Sequence, residues 1–393
     1  MPRTPSDPSP TAEDSRSVGR RDLLKAGGAA IAGASLGCVR RDDVMGGVTG
    51  EAGSGPAIVG RTYEWTMVTT WPSTLPVFQE GVRMLAEQIE TMSGGRLKVD
   101  VYGGGELVPA FESFDAVTSG TAQMSHGASY YWAGKEKATH FFAAIPFGMN
   151  AQQMNAWLYA GGGLELWEEI YEPFGVIPFP TGNSGAQMGG WFREEIHSVE
   201  DFSGLKMRMP GLGAEVITAL GASAVLLPAG DIYTSLERGV IDATEWVGPF
   251  HDEIMGFQNV AKNYYYPGWH ESGTVLELAV NRAAFEALPK DLQEIIRVTA
   301  TAQNTWMLSQ FEARNHAALQ KLVNEDGVKL RAYPEDVLVA LKKIAREVID
   351  GFCAEDPKSA KVYDSFRKFQ ESVAAWSRLS EQPFYNLIQD LEG

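Results

Sequence analysis

The sequence predicts an α/β protein of two lobes followed by long C-terminal helices. Three observations carry this. From Tyr63 the chain alternates strand and helix patterns in the order β-α-β-α-β, an order that builds a parallel sheet with helical crossovers. A second set of short strand-like segments lies between Gly189 and Trp246. The stretch Gly273-Thr-Val-Leu-Glu-Leu-Ala279 then reads as a return to the first lobe. At 393 residues the chain is long enough for two sizeable cores.

The elements follow in order. Tyr63-Glu-Trp-Thr-Met-Val68 alternates like a strand. Thr74 to Ser93 carries Phe78, Val82, Leu85 and Ile89 at helical spacing, and Gly94-Gly95 stops it. Leu97 to Tyr102 is the next strand, a helix follows around Ala110 to Ser119, and Gln123-Met124 leads into Ala128-Ser-Tyr-Tyr-Trp132. Ligands of such sheets sit beyond the carboxyl ends of the strands, which brings Tyr130 and Tyr131 near a candidate site. A second α/β unit opens near Val176-Ile-Pro-Phe179, with strands around Gly189 to Phe192, Lys206 to Met209, Ala224 to Leu227 and Ala243 to Trp246. The remainder, Leu288 to Leu391, is helical by period and broken at Pro289, Pro334, Pro357 and Pro383. The expected organisation is domain I over 61–184 and 274–330, domain II over 185–273, and a helical region over 331–393. Two crossings between the lobes predict a hinge.

Residues 1–38 read as an export signal and 39–60 as a flexible linker rich in glycine. Gly19-Arg-Arg-Asp-Leu-Leu-Lys25 precedes a weakly apolar run from Ala26 to Gly37, the pattern of twin-arginine export to the periplasm. That run is too short and too glycine-rich to be a stable membrane span. Two processing sites stay open. Ala32-Gly-Ala34 suits ordinary signal peptidase; Ser35-Leu-Gly-Cys38 is a loose lipoprotein site that would tether the protein through Cys38. The only other cysteine is Cys353, so no internal disulfide framework is expected. A net charge of -17 excludes nucleic acid as a partner, because phosphate binding needs a basic surface. It also speaks against adsorption to anionic lipid.

The segment from Gly182 to Glu271 carries the chemistry. It contains Gly182-Asn-Ser-Gly-Ala-Gln-Met-Gly-Gly-Trp191, Lys206-Met-Arg208, Asp242-Ala-Thr-Glu-Trp-Val-Gly-Pro249 and Pro267-Gly-Trp-His-Glu271. Arg208 stands near a strand end between Met207 and Met209, which alternation turns to the opposite face. Its planar guanidinium suits a carboxylate through two parallel hydrogen bonds; the alternative is a structural ion pair. Glu245, Glu271 and Gln187 offer oxygen ligands suited to a hard cation. Tyr130, Tyr131 and the Trp246 ring could wall a pocket or simply pack in a core. His126 suits a local hydrogen bond better than a ligand role.

In order and spacing these segments resemble the solute-binding proteins of tripartite ATP-independent periplasmic (TRAP) transporters, and within them the branch that binds 2-oxo acids and lactate through a metal ion. The resemblance runs from about Tyr63 to the C-terminus. It implies a periplasmic binding protein-like fold, with two α/β domains joined by hinge strands and closing on the solute. It also implies that Arg208 grips the solute carboxylate. Gln187, Glu245, Glu271 and the Trp246 carbonyl would hold sodium or calcium. The implied partners are a small organic acid, the TRAP membrane subunits, and a second copy docked through a C-terminal helix, which fits Ser359 to Leu379.

Other patterns carry no chemistry. Gly33-Ala-Ser-Leu-Gly37 has the spacing of a nucleophile elbow but lies in the export signal. The histidines show no zinc-type spacing, and Gly211-Leu-Gly213 lacks the third glycine of a dinucleotide loop. His251-Asp-Glu253 reads as a polar helix start. Three competing readings remain: an exported metal-dependent enzyme acting on a small oxo or hydroxy acid, a binding protein for a dicarboxylate, and a sensory module. The site residues could polarise a carbonyl, yet the motifs supply no nucleophile or base beside them, which argues against an enzyme.

Overall fold

The computed structural model describes residues 60–392, with side chains through 388. The export signal, nearly all of the linker and Cys38 lie outside the described residues. The described residues contain eleven strands: β1 (Tyr63–Thr69), β2 (Leu97–Tyr102), β3 (Met124–Gly127), β4 (Val176–Asn183), β5 (Gly190–Phe192), β6 (Lys206–Arg208), β7 (Ser223–Val225), β8 (Ala243–Thr244), β9 (Asn263–Tyr266), β10 (Val275–Asn281) and β11 (Lys329–Ala332). They form two sheets, of order β2-β1-β3-β10-β4 and β11-β9-β5-β8-β6-β7. The fold is therefore α/β, with two sheets each covered by helices.

The opening unit forms as its pattern dictates. The helix Phe78–Met92 buries Phe78, Val82, Leu85 and Ile89. Gly94 and Gly95 then take positive φ, and the Gly95 N–H caps the Glu90 carbonyl at 2.8 Å. The buried face meets Trp65 and Met67 of β1 and Leu292 and Ile296 of the helix Lys290–Asn324. β1 pairs in parallel with β2 and β3.

Four expectations need correction. The first sheet is mixed, because β10 runs antiparallel to both β3 and β4. The segment from Val176 does not open the second unit; as β4 it is the far edge of the first sheet, and its all-buried sequence shows no lobe preference. The stretch from Leu288 is not wholly helical. β11 interrupts it and joins the second sheet beside β9, so a domain I boundary at residue 330 cuts through a strand of the other lobe. β11 is a four-residue edge strand whose Lys329, Leu330 and Ala332 are exposed, and such a strand lacks the alternation that reveals one with a buried face. The lobes are thus linked more than twice: by 184–189, by 267–274, by 325–328, and again where the chain passes from the helix Glu335–Glu355 to the helix Pro357–Ser377.

Those last two helices divide their packing. Val337, Leu341 and Ala345 join the core of the second lobe with Met207, Val216 and Tyr333. Val362 and Phe366 pack into the first lobe with Trp157 and Phe141. Pro289 and Pro334 stand at helix N-caps, and Pro357 at a first turn, where a missing N–H costs nothing. Among the described residues no helix is long and apolar enough to cross a membrane.

Candidate functional site

The site lies where the carboxyl ends of β1, β3, β6 and β8 face each other across the two lobes. Arg208 ends β6, hydrogen-bonded in the sheet between β7 and β8, and is only 1% exposed. Met207 and Met209 turn into the core of the second lobe, which leaves the guanidinium facing the first. Its Nη1 forms an ion pair with Glu245 Oε1 and donates to the Glu245 carbonyl at 3.2 Å, while Nε donates to the Leu227 carbonyl at 3.3 Å. The ring of Trp246 lies 5.2 Å from the guanidinium carbon. Nη2 is buried and has no partner. Burial works against the charge of Arg208, but Glu245 and the neighbouring tyrosines hold it protonated, above its ordinary value. The structural ion pair and the free donor therefore coexist on one side chain.

Glu245 follows β8 directly. Its second oxygen, Oε2, lies 3.3 Å from His270 Nε2. Glu271 is fixed differently: its Oε2 accepts from Gln187 Nε2 at 2.8 Å and from the Thr274 hydroxyl. Gln187 Nε2 also donates to Ser184 Oγ at 2.9 Å, which commits its amide nitrogen and leaves Oε1 buried without a partner. Burial first, and then the charge of Glu245, raise the Glu271 carboxyl above the ordinary glutamate range. Ligand atoms of Glu245, His270 and Glu271 lie within 4.8 Å of one another.

These residues fit a cation. Two buried carboxylates repel one another here, and a carbonyl oxygen is left unpaired beside them. A hard cation with oxygen ligands would relieve both costs. The structure thus brings together the three side chains expected from sequence, Gln187, Glu245 and Glu271, and adds His270.

Trp71, Phe78, Tyr130, Tyr131, Trp246 and Leu276 wall a cavity of about 10 Å³, with Gln187, Arg208, Ser184 and Thr274 as its polar lining. That is the space of roughly one water molecule, so a solute enters only when the lobes separate or side chains give way. Tyr130 and Tyr131 sit on the 3-10 turn Ser129–Trp132 just past β3, with ring centroids 4.8 Å apart. Burial raises the Tyr131 hydroxyl to about 12 and also pushes that of Tyr130 well up, so both stay protonated donors. His126 accepts from the Trp71 indole at 2.8 Å, and burial keeps it neutral. It orients a wall residue.

Sequence reasoning passed over His270, Trp71, Ser184 and Thr274. His270 stands beside Glu271 in a motif already singled out, and Trp71 follows the carboxyl end of β1, where the strand-end rule points. The reading of His251-Asp-Glu253 as a polar helix start was incomplete. Asp252 is buried, accepts from the Trp191 indole at 2.9 Å, from the Tyr264 hydroxyl at 2.7 Å and from the Val247 N–H at 3.2 Å, and so fixes the loop after Trp246.

Two α/β lobes enclosing a buried arginine and a cluster of oxygen ligands form a cleft suited to a small anionic solute. Residues 67–356 match the family described as bacterial extracellular solute-binding protein, family 7. The chain belongs to this family of TRAP transporter solute-binding proteins. A monocarboxylate 2-oxoacid-binding periplasmic protein of Nostoc sp. is 44% identical over 322 residues, covering 82% of this chain and 88% of its own. A TRAP periplasmic solute-binding protein from Pseudoalteromonas atlantica, solved with bound sodium and pyruvate, superposes with TM-score 0.81 at 42% identity, covering 83% of this chain and 99% of its own. One from Colwellia psychrerythraea, solved with bound calcium and pyruvate, gives the same TM-score of 0.81, identity of 42% and coverage of 83% and 99%.

Proposed function

We propose that this protein is the periplasmic receptor of a TRAP transporter for a small 2-oxo or 2-hydroxy monocarboxylate, of pyruvate or lactate type, bound together with sodium or calcium. The observation that carries the reading is one buried guanidinium N–H and one buried amide oxygen, Arg208 Nη2 and Gln187 Oε1, both unpartnered and both in the wall of one cavity. Gln187, Glu245, Glu271 and the Trp246 carbonyl would hold the cation. When bound, it would neutralise the two carboxylates and take the 2-oxygen of the acid. Arg208 receives the solute carboxylate, Tyr130 and Tyr131 donate from above, and the Trp246 ring closes one side. The Nostoc protein's name and the pyruvate held by the two marine proteins support this assignment.

The solute leaves unchanged. Glu245 is tied by Arg208 and His270, and Glu271 by Gln187 and Thr274, so neither carboxylate is poised as a free base. The protein reaches the periplasm through the twin-arginine signal and hands its solute to the membrane subunits. It pairs with a second copy through the C-terminal helices, where Trp376, Leu379, Phe384 and Tyr385 are exposed. Mass spectrometry of acid retained on purified protein, with metal analysis of the same sample, tests the reading. A bound 2-oxo or 2-hydroxy monocarboxylate with about one equivalent of sodium or calcium is expected. Chemical conversion of added acid would overturn the receptor assignment.

A further inference from the structure

A second cavity, of about 480 Å³, lies outside the buried one and opens between the lobes. Tyr130 and Tyr131 line both spaces, so the pair is the partition between them. The outer chamber is lined mainly by apolar groups, among them Ala133 and Phe352 from one side and Met209, Ala214, Val225 and Leu226 from the other. Val225 and Leu226 are 37% and 42% exposed. The charged groups on this lining offer no grip for a second carboxylate. Lys137 is paired with Glu355 at 3.1 Å, and burial holds His140 neutral, near 4.

The two tyrosines are not equivalent. Tyr130 is buried and clamped across the cleft: a Cβ added at Gly211 of the opposite lobe would stand 3.1 Å from its ring, so no larger residue fits there without displacing it. Tyr131 is half-buried. Its ring packs against Phe111 at 4.8 Å and Tyr130 at 4.8 Å, with Trp71 farther off at 6.3 Å. It is the less buried half of the partition.

We propose that the outer chamber is a second subsite, one that takes the alkyl tail of longer 2-oxo monocarboxylates, and that Tyr131 is the side chain that limits tail length. This rests on the proposed solute class. With Tyr131 in place, its ring stands between the head position and the chamber and blocks a longer tail. With Tyr131 cut back, the acid keeps its head on Arg208 and the cation, and its tail passes into the chamber.

The test is calorimetric titration of a straight-chain series, from pyruvate through 2-oxobutyrate and 2-oxohexanoate to 2-oxooctanoate, with calcium and with sodium. Wild-type affinity should be flat or fall with length. In Tyr131→Ala it should rise by up to about fourfold per methylene, the transfer free energy of one CH2 group. Tyr131→Leu keeps an apolar contact with Phe111 and should show a smaller rise, which covers a failure of the alanine variant to fold. Adding Ala214→Trp to either variant puts an indole into the chamber where the tail would lie; it should cancel the rise and leave pyruvate binding unchanged from its parent variant. Parallel changes at every chain length, or a rise that survives Ala214→Trp, would overturn the subsite. If wild-type protein binds pyruvate and length dependence never changes, only the subsite fails. If it binds no acid of the series, the proposed solute class fails first and the subsite with it.

Discussion

Gln187 and Glu271, 84 positions apart in sequence, are joined twice. The Gln187 main-chain N–H donates to the Glu271 carbonyl at 3.2 Å, and its side-chain Nε2 donates to Glu271 Oε2 at 2.8 Å. Each sits on a segment that crosses between the lobes, 184–189 and 267–274. The double link fixes the amide so that its nitrogen serves the carboxylate and its oxygen faces the cavity. Two crossings between the lobes and a candidate ligand position are thus tied together by the same pair of residues.

Arg208→Ala should abolish useful solute affinity, and Arg208→Lys should restore only part of it, because an ammonium cannot reproduce the guanidinium fork. The alanine change also leaves Glu245 buried without its ion pair. In the complex, removing one partner of the buried pair between Arg208 and the solute carboxylate costs about 3–5 kcal/mol, at least roughly a hundredfold in Kd. Calorimetry with near-wild-type affinity for Arg208→Ala would remove the arginine from the site.

Glu245→Gln should weaken cation and solute together by about tenfold or more, since affinity of oxygen sites follows ligand charge and the coupling is reciprocal. The check is solute titration after exhaustive chelation and dialysis into sodium-free buffer, followed by return of each ion. Full affinity without any cation would mean that the carboxylates serve another purpose.

Gly268→Ala should act on the site without touching it chemically. A Cβ there would stand 2.6 Å from the Gln187 carbonyl carbon, so the main chain of Gln187 must shift. Such overpacking costs about 1–3 kcal/mol, and cation affinity should fall with the melting temperature. A stable variant with unchanged cation binding would show that the Gln187 position is not critical.

Arg208 is the one cation among the residues that line the buried cavity. A dicarboxylate would bury a second charge against Trp71 and Phe78, which is costly. In a thermal-shift panel, pyruvate, lactate and other 2-oxo monocarboxylates should stabilise the protein more than succinate or malate, with sodium or with calcium. The reverse order would refute the solute class while leaving the fold intact.

Away from the site, Glu277 is buried with its carboxylate held by the Trp132 indole and by the Tyr171 hydroxyl at 2.7 Å. Burial raises its carboxyl from 4.5 to about 7. The folded protein then keeps a proton that the unfolded chain releases, so stability falls as pH rises between those values. Glu277→Gln should remove this part of the fall, on the order of 3 kcal/mol between pH 4.5 and 8. Denaturant melts at both pH values check it; equal pH slopes for variant and wild type would contradict the assignment.

Local pattern made much of this molecule legible. The helix Phe78–Met92 could be read from four apolar positions and two glycines, and the turn with Tyr130 and Tyr131 from its place after a strand. The family emerged from short phrases around Arg208 and Glu245, because each residue type there suits one chemical task. β11 was hidden, since four mostly exposed residues on a sheet edge carry no buried face to pattern. His270 was hidden too, since a histidine beside a glutamate says nothing of which way it points.

The sequence by itself determined which groups are available: one arginine with a forked donor, oxygen ligands among glycines, and aromatic walls. Tertiary structure alone decided how they are used. It turned one guanidinium nitrogen to Glu245 and left another unpartnered, it spent the Gln187 nitrogen on Glu271 and left the oxygen, and it set Tyr131 between two cavities. The reason is physical. A residue's type fixes what bonds it can make, but only packing in three dimensions decides which of those bonds are already made within the protein and which remain for a ligand.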